Sequence, residues 1–200
     1  MGKAILAIDP SINFPGYAVF DGKNLVEYGV KKTWDGRTKT PDQARLRKIL
    51  CDIGELCYRY EPETVVVEDY QFRLSDVQNR NKDHIKKMIW SIGVVIVAVP
   101  EQYNIVCFKP HEWKGKKSKE TTVLEAKTVY QIRGVLNNNA ADAIMLGHHF
   151  LKGDGNEHLP QRRGVAGPRR GSKQSDSRTL RELVRRSGAV PRSRKGNQKP

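Results

Sequence analysis

Cysteine is scarce in this 200-residue chain, which holds three, Cys51, Cys57 and Cys107. An odd number without metal-ligand spacing argues against a disulfide-stapled fold and a cysteine-ligated zinc module. The three read as reduced core thiols in helix or strand. A membrane-spanning run is missing too. The apolar stretch from Met88 to Val99 is too short for a bilayer and contains Ser91, so it reads as a buried helix. Met1-Gly2-Lys3 leads directly into a predicted strand with no signal peptide, which makes a cytoplasmic protein the expectation. No internal repeat is visible.

Acids are in deficit. The chain has 36 Lys+Arg against 22 Asp+Glu, a net charge of +14. Residues 151–200 alone carry 14 Lys+Arg against 4 Asp+Glu, so most of the excess lies there. Runs such as Arg162-Arg163, Arg169-Arg170 and Arg192-Ser193-Arg194-Lys195 alternate with Gly, Ser and Pro, a composition that predicts a flexible segment. The chain therefore divides into a domain over 1–151 and a basic tail over 152–200. A tail of this kind points to a polyanion, with nucleic acid the default.

What the domain does contain is a set of apolar strands that end in acids. Ala4-Ile5-Leu6-Ala7-Ile8 runs into Asp9, and a continuous apolar run reads as a strand buried on both faces. Thr64-Val65-Val66-Val67 runs into Glu68 in the same way. Asp142 follows the small residues of Asn139-Ala140-Ala141 at the start of a helical stretch. A carboxylate in such a place is costly to desolvate unless something positive meets it. Two buried strands and a helix that each deliver one make an oxygen cage suited to Mg²⁺ or Mn²⁺. Each acid also has a plainer reading: Asp9-Pro10 as the start of a turn, Glu68 as a partner of a surface lysine, and Asp142 as the complement of a helix N-terminus.

The predicted elements are three antiparallel strands with an Asp21-Gly22 turn, then helix, strand, helix, strand and two helices. The first helix starts at a capping-box pattern, Thr40-Pro41-Asp42-Gln43, and carries Leu46, Ile49, Leu50, Ile53, Leu56 and Cys57 on one face. The last two fall near 118–132 and 138–151. This order gives an α/β fold with a mixed five-stranded sheet flanked by helices, the layout of the ribonuclease H-like fold.

Within that fold the chain resembles the RuvC group of Holliday junction resolvases. The segments that carry the resemblance are Ile8-Asp9-Pro10-Ser11 with Gly16-Tyr17-Ala18-Val19, Val65-Val66-Val67-Glu68, Gly93, Lys109-Pro110-His111-Glu112-Trp113-Lys114, and Asn139-Ala140-Ala141-Asp142-Ala143. They span most of residues 4–150 and none of the tail. The resemblance implies a metal-dependent endonuclease that resolves four-way DNA junctions by paired nicking, as a homodimer in a bacterial or phage-infected cell. It implies two Mg²⁺ per site, with Mn²⁺ able to substitute, held by Asp9, Glu68 and Asp142. Where the family usually has a fourth Asp or His, this chain has Asn139, which can ligate only through its carbonyl oxygen.

Asp69 adjoins Glu68 and would point to the opposite face; the family comparison favours Glu68. Lys114 matches the family's motif as a catalytic lysine. Lys109, Lys116, Lys117 and Lys119 surround it, either on DNA phosphates or as a solvated face. Tyr70 and Phe72 are both candidates for the aromatic with which the family contacts the junction, and Arg80, Lys82, Lys86 and Lys87 could follow a DNA arm. His111, His148 and His149 read as structural. The apolar helix near 88–99 packs either within the monomer or partly on a second subunit. Two other functions stay open on the sequence: a ribonuclease H-like nuclease acting on RNA–DNA hybrid or single strands, and a junction-binding protein that does not cut.

Overall fold

A computed structural model describes residues 4–34, 40–70 and 82–154; Phe72, Arg80 and most of the basic tail lie outside them. Strands β1 (Ala4–Asp9), β2 (Gly16–Asp21), β3 (Asn24–Val30), β4 (Thr64–Glu68) and β5 (Asn104–Phe108) form one sheet in the order β3-β2-β1-β4-β5. β1 and β2 are antiparallel, as are β2 and β3, while β4 runs parallel to both β1 and β5. The sheet is therefore mixed, with β1 at its centre.

Alternation along the strands sorts side chains between two layers. Leu6, Ile8, Val65 and Val67 face helices α1 (Asp42–Tyr60) and α2 (Lys82–Ala98). Ile5, Ala7 and Val66 face the other side, covered by α3 (Pro110–Trp113), α4 (Lys119–Tyr130) and α5 (Asn138–His149), after which Phe150–Asp154 forms a π-helical turn. Among the described residues no helix is long and apolar enough to cross a membrane.

α5 lies unusually close to the sheet, and two glycines permit it. A methyl group on Gly16 would sit 2.0 Å from the carbonyl oxygen of Asn139, and one on Gly147 would sit 2.3 Å from the Phe20 ring. Every residue from Ala140 to Gly147 is buried in consequence. Asn137 caps the helix, its side chain accepting the Asn139 N–H at 2.9 Å.

Several local expectations need correction. Pro41 takes the N-cap of α1 instead of its first helical position, with no side-chain cap; the Pro41 carbonyl accepts from Ala44 and Arg45, leaving Thr40 one residue too early. Leu50 is 41% exposed, because the buried face of α1 runs through Ile49, Asp52, Ile53, Leu56 and Cys57. Of the cysteines only Cys57 is buried; Cys51 and Cys107 are exposed. In the β2–β3 hairpin Asp21 pairs with Asn24, and only Gly22 takes a positive φ, as a two-residue turn with glycine first requires. The largest departure is α2. Only Ser91, Ile92 and Val95 are buried, and Ile89, Trp90, Ile96 and Val97 are exposed, because this helix is covered on one side alone, mainly by α1.

Candidate active site

The register of the sheet decides which acids meet. Ala7 lies opposite Val66 and Ile8 opposite Val67, so the next residues, Asp9 and Glu68, end adjacent strands side by side. By parity Asp9 belongs with Ile5 and Ala7, and Glu68 with Val66, on the face that α5 covers. Asp142, in the second turn of α5, comes down onto the same spot. Each of the three carboxylates offers an oxygen that lies within 4.8 Å of the other two. Asp69 has the opposite parity: after burial, its charge helps raise the thiol of Cys107, on the other face of the sheet, and it accepts the Tyr70 N–H at 2.7 Å.

The acids crowd one another where little water reaches them. Burial, followed by the charges of Glu68 and Asp142, pushes the Asp9 carboxyl well above its ordinary range. Glu68 is raised to about 7, first by burial and then by Asp142, with Lys114 opposing. Burial also raises Asp142, again against Lys114. An arrangement that is unfavourable by itself and built only from carboxylate oxygens fits a hard, oxygen-seeking dication.

One cation is already at hand. Lys114 Nζ lies 2.6 Å from Asp142 Oδ1, with both side chains nearly buried. The short helix α3 delivers it: the Lys114 N–H donates to the Pro110 carbonyl, and Pro110 opens that helix. Lys119 is exposed, yet its charge, after that of Lys114, opposes the rise that burial imposes on Glu68 and Asp142. Lys109 and Lys116 are exposed, and Lys117 is drawn instead to Glu125 at 2.8 Å. Lys82 and Lys86 are exposed at the start of α2, Lys86 over the Trp90 ring, whereas Lys87 is held by Asp42 and Asp83. Tyr70 is half-buried.

Asn139 is tied to the loop that follows Asp9. Its amide nitrogen donates to the Phe14 carbonyl at 2.6 Å, so its carbonyl oxygen is what it has left to offer a cation. The same loop is held from two further sides, by Thr33 Oγ1 on the Asn13 carbonyl at 2.9 Å and by Arg45 Nη1 on Asn13 Oδ1 at 2.7 Å. Sequence reasoning missed these supports, and also the spacer role of Gly16, which pairs with Asp9 across the sheet. A glycine opening a strand, opposite a helix that begins with small residues, is the signal that marks Gly16. His148 bonds Tyr130, and His149 packs edge-on against Phe108.

Comparison with known proteins agrees with this geometry. The RuvC of Thermus thermophilus, solved in complex with Holliday junction substrate, superposes with a TM-score of 0.58 at 23% identity, over 75% of this chain and 95% of that one. The yeast mitochondrial Holliday junction resolvase Ydc2 gives 0.54 at 13% identity, over 76% and 78%. In sequence, a crossover junction endodeoxyribonuclease RuvC from Alkaliphilus metalliredigens is 27% identical over 142 residues, 67% of this chain and 79% of the relative. The chain is thus similar to RuvC in sequence and in fold. Its ribonuclease H-like sheet is the one the order of elements predicts. No family model matches the chain.

Proposed function

We propose that this chain is a divalent-metal-dependent endodeoxyribonuclease that resolves four-way DNA junctions by paired nicking. The observation that carries the reading is the convergence of Asp9, Glu68 and Asp142 on one face of a RuvC-like sheet, with Lys114 against Asp142. Asp9, Glu68 and Asp142 would hold two Mg²⁺, with Mn²⁺ able to substitute and the Asn139 carbonyl oxygen as an auxiliary donor. Bound there, such ions activate the attacking water and neutralise charge on the leaving 3′ oxygen.

The chain's own residues do the positioning. Asp9 ends a strand that is buried on both faces, and α5 is clamped by Gly16 and Gly147, so the carboxylates have little room to drift. Lys114 would meet negative charge that develops on the scissile phosphate. Lys82, Lys86, Lys109, Lys116, Lys117 and Lys119, with Arg80, would hold phosphates of the junction arms, and Tyr70 or Phe72 would contact its branch point. The basic tail over 152–200 would add affinity that ignores sequence and branch geometry. The products carry a 5′ phosphate and a 3′ hydroxyl.

Two opposed nicks need two sites related by a two-fold axis, hence a homodimer. α2 offers the surface. Ile89, Trp90, Ile96 and Val97 form an exposed apolar stripe, and Gly93 sits within it. A methyl group on Gly93 would meet nothing among the described residues, although glycine inside a helix costs about 1 kcal/mol. Close approach by a second α2 accounts for both the stripe and the glycine.

Incubating the full chain with a labelled four-way junction, a matching duplex, an RNA–DNA hybrid and a single strand, in Mg²⁺ and in chelator, tests the reading. Mg²⁺-dependent, symmetrical nicks in the junction alone are expected. Preferred cutting of hybrid or single strands would make it a different nuclease, and tight junction binding without any cut would make it a binding protein.

A further inference from the structure

At the far end of α5 from the carboxylates, the β2–β3 hairpin, the end of α4 and the π-helical turn enclose a groove of about 950 Å³. The α5 residue that lines it, His148, lies six residues beyond Asp142, roughly 9 Å along a helix, and none of the three carboxylates lines the groove. Its rim is cationic: Lys23, Arg133 and Lys152 border it, and among the described residues no Asp or Glu does. None of these three is in an ion pair among the described residues. Its lining is apolar and aromatic, with Leu25, Tyr28, Ile132 and Leu151. A cationic surface by itself suits any polyanion. A cationic rim around an apolar lining suits an occupant that brings both kinds of group.

The strand that forms one wall is bent to make this lining. Phe20 pairs with Leu25 and Val19 with Glu27, so Val26 is an extra residue, a β-bulge. In an unbroken strand Leu25 and Tyr28, three apart, would point to opposite faces. The bulge instead sets Leu25 opposite Phe20 and Tyr28 opposite Ala18, and both partners belong to the core on the α5 side. β3 is also an edge strand, so an extended segment laid along it would find backbone groups to pair with. On the opposite wall Gln131 takes a left-handed conformation, φ 53°, between Tyr130 and Ile132, both of which line the groove.

We infer that this groove docks an acidic, extended segment of a partner protein, its carboxylates on Lys23, Arg133 and Lys152 and its apolar side chains over Leu25 and Tyr28. Charge excludes this chain's own strongly basic tail as the occupant. Duplex DNA presents phosphates on its outside, with its bases stacked inside and little apolar surface to cover the lining.

The test is fluorescence anisotropy on the full chain with a fluorescein-labelled peptide rich in Asp and Glu that carries one Leu and one Phe. The same peptide with both apolar residues replaced by Ser measures the attraction due to charge alone, the tail's included. The parent should bind the Leu/Phe peptide more tightly than the Ser peptide. Lys23→Glu with Arg133→Glu should weaken that binding about tenfold or more, the size of two lost charge-assisted contacts. Leu25→Ser, checked by its melting curve, should remove the preference without changing charge. Asp142→Asn should leave binding as in the parent. Equal affinity for the two peptides, or unchanged affinity in the charge-reversed variant, would overturn the inference. So would displacement by a single-stranded oligonucleotide whose own affinity falls in the same variants.

Discussion

α2 and α5 are both rich in apolar residues, and they end in opposite circumstances. In α5 every residue from Ala140 to Gly147 is buried; in α2 only Ser91, Ile92 and Val95 are. Apolar composition says that a helix will be covered, not by what. α5 is covered by its own sheet, and glycines at 16 and 147 let it come close enough to bring Asp142 to Asp9 and Glu68. α2 keeps an apolar stripe around a glycine that no neighbour among the described residues requires. On our reading the first helix completes the chemistry inside one subunit, and the second supplies the symmetry between two.

The sharpest way to break that division of labour is through the acids. Asp9→Asn, Glu68→Gln and Asp142→Asn should each abolish Mg²⁺-dependent nicking while junction binding in gel shifts stays intact or tightens. Each change removes a ligand and also a charge that repels phosphate when metal is absent. Asp69→Asn, of opposite strand parity, should cut nearly as the parent does; a dead Asp69→Asn beside an active Glu68→Gln would reverse the assignment.

Val97→Glu tests the other helix. Sedimentation should show monomers, and a cruciform plasmid should yield uncoupled single nicks in place of linear product, with Mn²⁺ binding unchanged. Paired nicking by a dimer of this variant would place the interface elsewhere. Lys114→Ala should reduce the single-turnover cleavage rate by on the order of 10²-fold and junction affinity far less, as for a donor that meets charge developing during reaction. Equal losses in the two would make Lys114 a positioning contact.

A smaller effect should appear in stability. The folded-state pKa values of Asp9, Glu68 and Asp142 lie above their ordinary ones, so protonation favours the folded form. Stability in chelator should therefore be fullest below the ordinary carboxylate range and fall as pH rises through about 7, where Glu68 ionises. Melting temperature in chelator should drop across that window, and Glu68→Gln should flatten the slope. A slope unchanged in this variant would mean that other groups set it.

Much of the site was legible because a strand has period two. Once Asp9 and Glu68 end apolar strands, register alone brings them together, and small residues before Asp142 admit the helix. The reach of Lys114 to Asp142 was not legible, since it depends on how a short helix leaves β5. Nor was the hydrogen bond from Asn139 to Phe14, which joins residues 125 apart in sequence. The exposure of α2 was left open for a different reason: an apolar run looks the same whether its own chain or another covers it. The bulge at Val26 is a matter of pairing register, which the pattern of β3 does not reveal.

The most direct measurement is a calorimetric titration of Mn²⁺ into the full chain and into Asp142→Asn, with melting curves recorded alongside. The account predicts saturable binding that raises the melting temperature of the parent, and a variant that loses most of that heat and that rise. Identical isotherms and identical shifts in the two proteins would show that the ion binds elsewhere, and would contradict the assignment of Asp9, Glu68 and Asp142 as its ligands.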